Sequence, residues 1–565
     1  MEAYGRRYVK NSFSYLILNT YRFIFDIKIG YYMRHYLTHL NIVFTVVFVL
    51  VFLIAFGFLP REVSFVVLSI YIGYLLLAPL RSNVELFLRS IPFFIALPIS
   101  ADFDNLNIWR VVLMFVFIRW ALEKNRWYYA LISVFSRKGA REFIKNKRME
   151  ALGILFLILA GASIFVADDT GAALKRWIYL INAAFLFVVI RSLILEKPKN
   201  AERFMRSFAL AGILAVVSGF IQFFSAYLVP PYNFHWWWGQ IVSLNMYGQN
   251  WSDIVTDFGN TWFSYAGNTL RLRMFSTFPD SHSFPMFVIM TFPAIIYIVF
   301  SKFSLYTQML TISLKKAFFM AVRDRDAWLI DGGFALMNLA LILTGTRGIW
   351  VSVILTFGVI GWLAWRGNTR RLAVLLSVIV AIYLMMFPIY FGIISTPQFQ
   401  ESGASTGAFS KRVSSIIDFG ETSNAGRIAI WQETLKSIAD KPLLGVGVGN
   451  FPVVLAQPLS YMLAGSTAHN LFLHIAATIG IPGLIVFLAM LWEFARVSWR
   501  KIKEGLRMPL GLYFAVALFS LIWLMGYSLT DAALYDGRAL LGFMAFMGIT
   551  VGLYLQKQNN AKSAS

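Results

Sequence analysis

Apolar residues run along this chain in stretches near the roughly 20 residues that an α-helix needs to cross a bilayer. They fall at 40–59, 63–80, 84–100, 107–123, 150–167, 176–195, 205–228, 284–301, 328–345, 349–366, 371–394, 470–494, 509–528 and 537–555. Short polar and basic breaks separate them. The pattern predicts an all-α polytopic membrane protein of about 12–14 transmembrane helices, with a large extracytoplasmic loop containing short helices. The pair 84–100 and 107–123 carries Glu85, Arg89, Arg110 and Arg119, and reads either as two spans or as a re-entrant hairpin.

Two breaks are long, 229–283 and 395–469. They divide the chain into a basic cytoplasmic segment (1–39), N-terminal transmembrane helices (40–228), an aromatic-rich extracytoplasmic loop (229–283), central helices (284–394), a large extracytoplasmic catalytic loop (395–469), C-terminal helices (470–555) and a cytoplasmic tail (556–565). Loops beyond about 12–15 residues are usually functional or disordered. The periodic apolar content of the second argues for function.

Composition agrees: 58% of the 565 residues are hydrophobic and 14% charged, against roughly 25% charged in soluble domains. The net charge of +22 invites nucleic acid, but its Lys and Arg collect in short loops, as the positive-inside rule requires. No nucleic-acid partner is expected. The basic loops at 137–148, 197–206, 315–325, 366–371 and 496–507 fall on one side of the membrane. Asp102, Asp104, Asp168, Asp169 and both long loops fall on the other. Both termini are therefore expected in the cytoplasm. The first forty residues are basic and aromatic without a small-residue cleavage site, so the first span serves as the insertion signal. The absence of Cys excludes disulfides, Cys-based zinc sites and thiol nucleophiles.

The loop 229–283 holds Tyr232, Phe234, His235, Trp236, Trp237, Trp238, Tyr247, Trp251, Trp262 and Tyr265. These form either an interfacial belt or a platform for sugar or lipid. In the second loop, Ser423 or Asn424 can cap a helix that runs to Asp440 and stops at Lys441-Pro442. Ile428, Trp431, Leu435 and Ile438 make it amphipathic. Gly445-Val446-Gly447-Val448-Gly449 lacks the strand–helix context of a nucleotide site and reads as a tight turn. Asp280 and His282 lack a third metal ligand. No metal and no cofactor are predicted.

His469, one of six His residues, is either a helix-start residue satisfied locally or a general base. Arg271, Arg273, Arg347 and Arg427 are each readable as headgroup anchors. Together they form an outward-facing cationic set, and Arg is the side chain best suited to bidentate phosphate contacts. A base beside such a set suggests transfer from a lipid pyrophosphate, the leaving anion stabilised by fixed guanidinium groups.

Arg427 with Trp431, the run Pro442-Leu443-Leu444-Gly445-Val446-Gly447, and Ala468-His469-Asn470 followed by Gly480, Ile481 and Gly483 resemble the signature of the O-antigen ligase/O-antigen polymerase superfamily. His469 and Gly480 reproduce its His, ten residues, Gly spacing. Thr346-Arg347-Gly348 resembles its Ser-Arg-Gly turn, and Arg273 with Pro279-Asp280 its Arg and Pro-Asn element. Trp431 stands where the family often has Leu, Asp280 where it commonly has Asn, and either Arg271 or Arg273 could be the matching Arg. The likeness covers roughly 270–555. It implies an inverting, metal-independent glycosyltransferase that transfers or polymerises a glycan from a polyprenyl-pyrophosphate donor at the outer face of a bacterial inner membrane. His469 would deprotonate the acceptor, Arg427, Arg347 and Arg273 would hold pyrophosphate, and the aromatic loop would help cover the cavity. The acceptor, whether glycan, lipid or protein, and any chain-length regulator or flippase partner stay open. The competing readings are a membrane transporter of a small anion and a non-catalytic partner in polysaccharide export. Near-absence of mid-span carboxylates counts against transport.

Overall fold

The computed structural model describes residues 38–100, 104–123, 147–257, 261–266, 269–302, 325–366, 369–396, 422–456, 467–504 and 510–563. The basic segment 1–37, the basic loop 124–146, the loop 303–324 and the loop stretches 397–421 and 457–466 lie outside the described residues.

The described chain is an all-α bundle. Its helices are α1 (His39–Ala55), α2 (Ser64–Leu77), α3 (Leu80–Ser90), α4 (Ile108–Leu122), α5 (Arg148–Ala162), α6 (Thr170–Glu196), α7 (Lys199–Phe224), α8 (Ser283–Lys302), α9 (Arg325–Leu343), α10 (Arg347–Trp365), α11 (Arg370–Ser395), α12 (Thr422–Asp440), α13 (Leu471–Ile479), α14 (Ile481–Lys503), α15 (Leu510–Tyr527) and α16 (Gly537–Ser563). Among the described residues nine helices are long and apolar enough to cross a membrane: α5 to α8, α10, α11 and α14 to α16. His39–Ala55 and Leu329–Leu343 are shorter apolar helices. Two small antiparallel hairpins, β1 (Ala96–Leu97) with β2 (Leu106–Asn107) and β3 (Phe263–Ala266) with β4 (Thr269–Leu272), lie between helices.

Two expected spans are interrupted. The 84–100 stretch is not one helix, because α3 ends at Ser90 and a 3₁₀ turn over Ile91–Phe93 leads into β1. The 470–494 stretch breaks at Gly480, where φ of +89° ends α13 and α14 restarts with Pro482 in its first turn. A Cβ at Gly480 would stand 2.1 Å from the Leu443 carbonyl oxygen, so the break also lets the preceding loop pack closely.

Apolar faces are used in two ways. In α1, Phe44, Val47, Val51 and Ile54 are buried, whereas Ile42, Val46 and Val49 remain exposed. Such an outer stripe suits a lipid solvent. α8, α15 and α16 are buried along most of their length and form the centre. On α16, Gly548 and Gly552 meet Ile190 and Ile194 of α6, the close small-residue approach by which helices associate in membranes.

The aromatic loop builds a core of its own. Phe234 stacks on Trp238, Trp262 stacks on Phe275 at 5.2 Å, and Trp238 meets Phe275 edge-on. The Trp262 indole N–H donates to the Pro279 carbonyl. Phe234, Trp238 and Trp262 are thus not a sugar platform. Tyr232 and Trp236 are exposed.

Candidate active site

The His469 turn is held from three sides. Asn470 caps α13, its side-chain oxygen accepting from the N–H groups of Phe472 (3.0 Å) and Leu473 (3.1 Å). That short polar side chain is what lets the sequence begin a helix here. The Leu471 N–H donates to the Ser528 carbonyl at 2.8 Å, tying the turn to the end of α15. The Trp431 indole N–H, on α12, donates to the Ala468 carbonyl at 2.8 Å. His469 itself has φ of +44°, a left-handed conformation uncommon outside Gly and persisting where its surroundings enforce it.

The second half of α12 rests on this turn. Ile430 and Ile438 pack with Phe451, Ala468 and Ala477, and Thr434 between them is buried. The expected stripe shifts accordingly: Leu435 is exposed, because the contacting face follows positions 430, 434 and 438. The helix ends at Asp440, before Pro442, as the sequence predicts. The glycine-rich run then stitches neighbouring elements together. The Val446 N–H donates to Ala477, the Val448 N–H donates to the Ser163 hydroxyl, and Asn450 exchanges hydrogen bonds with the Asp169 backbone.

Beside His469 lies an acid the sequence did not single out. Asp531, just beyond α15, points Oδ2 at His469 Nδ1 (3.6 Å) and at His282 Nδ1 (3.3 Å). The Tyr527 hydroxyl stands 3.0 Å from His282 Nδ1. Burial alone would raise the Asp531 carboxyl, but His282, His469 and Arg427 outweigh it and hold the group well below the usual carboxylate range. Burial pushes His282 down to about 3, against the opposing pull of Asp531. His282 is thus neutral near pH 7. His469 is more open, its side chain 29% exposed against 9% for Asp531.

Asp280 is not available as a ligand beside His282. Its Oδ1 caps α8, accepting from the N–H of His282 (2.9 Å), the N–H of Ser283 (2.7 Å) and the Ser283 hydroxyl (2.8 Å). Burial, then the charges of Asp536 and Asp531, push its carboxyl up to about 6 despite these donors.

The arginines divide. Arg273 donates from Nε to the Thr344 carbonyl (2.6 Å) and from Nη2 to the Thr346 hydroxyl (2.9 Å), and its charge acts on His282 and Tyr527. Arg427, early in α12, acts on His282, Tyr527 and Asp531. Arg347 opens α10, next to Gly348. A Cβ on Gly348 would lie 2.2 Å from the Thr530 hydroxyl. That close approach seats the start of α10 against the segment leading to Asp531. Arg271 departs from the group. Its guanidinium is pushed down by burial, with Tyr390 and Tyr227 opposing, and its Nε and Nη1 are buried without a hydrogen-bond partner.

His469, Arg427 and Arg347 fall within residues 332–488, which match the family model described as O-antigen ligase. The chain carries an O-antigen ligase domain. No curated protein matches the chain. The nine apolar helices make the chain a multi-pass membrane protein, and the matched segment supports an O-antigen ligase/polymerase-like glycosyltransferase of polysaccharide biosynthesis. The family implies a lipid-linked glycan donor. Arg271, Arg273, His282 and Asp531 lie outside the matched segment of the O-antigen ligase domain; the fold brings Asp531 and His282 to its His469 turn, and Arg273 acts on His282.

Sequence reasoning missed three contributors. Asp531 follows Thr530 in a short turn with no motif around it. His282 drew notice only beside Asp280. His474, one turn into α13, accepts from the Ala468 N–H at 3.4 Å and stacks on Phe451. The signal available for it was its i, i+4 spacing from the capping Asn470.

Proposed function

We propose that this O-antigen ligase-type enzyme transfers or polymerises a glycan from a polyprenyl-pyrophosphate donor, with inversion and without a metal, at the extracytoplasmic face of a bacterial inner membrane. The observation that carries the reading is His469 facing Asp531 at 3.6 Å, with the charge of Arg427 acting on Asp531 and those of Arg273 and Arg427 on the adjoining His282. With the proton on Nδ1 directed at Asp531, His469 Nε2 is free to accept one from an acceptor hydroxyl, and Asp531 stabilises the imidazolium that forms. The hydroxyl oxygen attacks the anomeric carbon as the bond to the pyrophosphate oxygen breaks. The polyprenyl pyrophosphate leaves with its charge balanced by guanidinium groups of Arg427, Arg347 and Arg273. Arg271, set beside Tyr227 and Tyr390, would reach a more distant part of the donor. Both termini then face the cytoplasm.

The test is release of polyprenyl pyrophosphate by purified protein supplied with a lipid-linked glycan and a set of acceptors, wild type against His469→Ala, with and without EDTA. Loss of the base should lower the rate on the order of 10²–10⁴-fold with donor binding retained, and EDTA should leave wild type unchanged. Normal turnover by His469→Ala would refute the base assignment. EDTA sensitivity would refute the metal-free step.

A further inference from the structure

A second cationic site lies away from the His469 turn, in a cleft between α4 and α6 with a volume of about 440 Å³. Arg110 and Lys175 both line it, and no Asp or Glu does so among the described residues. Among the described residues neither cation is in an ion pair. The Arg110 guanidinium lies over the Tyr179 ring, 3.5 Å from its centre, and its Nε is buried without a hydrogen-bond partner. Two like charges facing one cleft repel unless an anion lies between them. Two cations lining one cleft without an acidic lining residue among the described residues favour a negative group between them.

The remainder of the cleft specifies what carries that group. Met114, Leu174 and Ile178 also line it and are 42%, 46% and 52% exposed, so its wall is apolar and open to hydrocarbon. Arg110 is in the first turn of α4, and Lys175 is near the start of α6. At a rise of about 1.5 Å per residue both fall within roughly 10 Å of the helix ends, at headgroup depth. We infer that this cleft binds a membrane phosphoglyceride, its phosphate between Arg110 and Lys175 and an acyl chain along Met114, Leu174 and Ile178. The cleft shares no residue with the His469 turn, so the site is independent of the catalytic assignment.

The full-length protein, purified in detergent, is mixed with phosphatidylglycerol or phosphatidylcholine and examined by native mass spectrometry. Wild type retains phosphatidylglycerol over phosphatidylcholine by roughly tenfold, the scale of one or two charge-assisted contacts. Arg110→Gln with Lys175→Gln abolishes the preference, while Arg110→Lys with Lys175→Arg keeps most of it. Equal retention of both lipids by wild type overturns the proposal, without reference to any variant's folding. So does an undiminished preference in the Gln variant. Displacement of phosphatidylglycerol by an excess of inorganic phosphate would mean that the cleft takes a free anion, and would overturn the lipid assignment as well.

Discussion

His469 Nδ1 and Asp531 Oδ2 face each other across 3.6 Å, the first at the start of α13 and the second just past the end of α15. The gap is slightly long for a hydrogen bond, and neither atom has another hydrogen-bond partner among the described residues. Asp531→Asn keeps the shape and removes the charge, so it should lower turnover by about 10²-fold or more. If the two residues act as one unit, Asp531→Asn in a His469→Ala background costs little further. Single-turnover rates for the four proteins of that cycle check this, and full additivity would count against the pairing.

Trp431 reaches the same turn through its indole N–H. Trp431→Phe keeps an aromatic ring but deprives the Ala468 carbonyl of its donor. One neutral hydrogen bond contributes about 0.5–1.5 kcal/mol, so kcat should fall by roughly 3–10-fold. Donor KM should not move, because the change acts on the His469 turn. A KM effect at constant kcat would instead place Trp431 on the substrate.

Arg273 and Arg271 should separate on substitution. A lysine at 273 cannot keep contacts to both the Thr344 carbonyl and the Thr346 hydroxyl. Arg273→Lys should therefore weaken donor binding by about 10–100-fold. Arg271→Lys, beside Tyr227 and Tyr390, should cost less. Donor affinity measured for both variants decides the order.

Asp280 makes stability depend on pH. Its folded-state pKa of about 6 stands above the ordinary 3.8, so the folded chain holds this proton more tightly than the unfolded chain. That stabilisation is fully present below the unfolded value and is lost as pH rises through about 6. Asp280→Asn keeps a capping oxygen without the titration. Relative to wild type it should gain stability as pH rises from 4 to 6 and keep the gain above, by at most about 3 kcal/mol. Thermal unfolding across that range reads it out. A constant difference would show that burial of Asp280 does not control its ionisation.

Gly480→Ala should be among the most damaging single changes outside the charged cluster. The new Cβ meets the Leu443 carbonyl in a left-handed backbone, and both effects act together. A loss of more than about 2 kcal/mol is expected, visible as a lower unfolding temperature and poor recovery from membranes.

What the sequence determined by itself is what local patterns encode. Runs of apolar residues near twenty long made the chain a helical membrane protein. The break at Pro442, the capping Asn470 and the order of Arg347, Arg427 and His469 placed the polar chemistry in the segments that join apolar helices. These features are legible because each depends on residues adjacent in the chain. The broken span at Gly480 and the short α3 were less legible, since hydropathy averages across a kink.

Tertiary structure alone decided which residues meet. Asp531 lies just past the end of α15 and His282 just before the start of α8, and no periodicity links either to His469. Their meeting depends on how three helix ends pack, including the close approach at Gly348. The same packing separated Arg273 from Arg271, two residues apart on one strand end, and turned Phe234, Trp238 and Trp262 inward. Local sequence specifies helices and turns through short-range sterics and burial. The candidate site arises from contacts between elements distant in the chain, which only the packed bundle brings together.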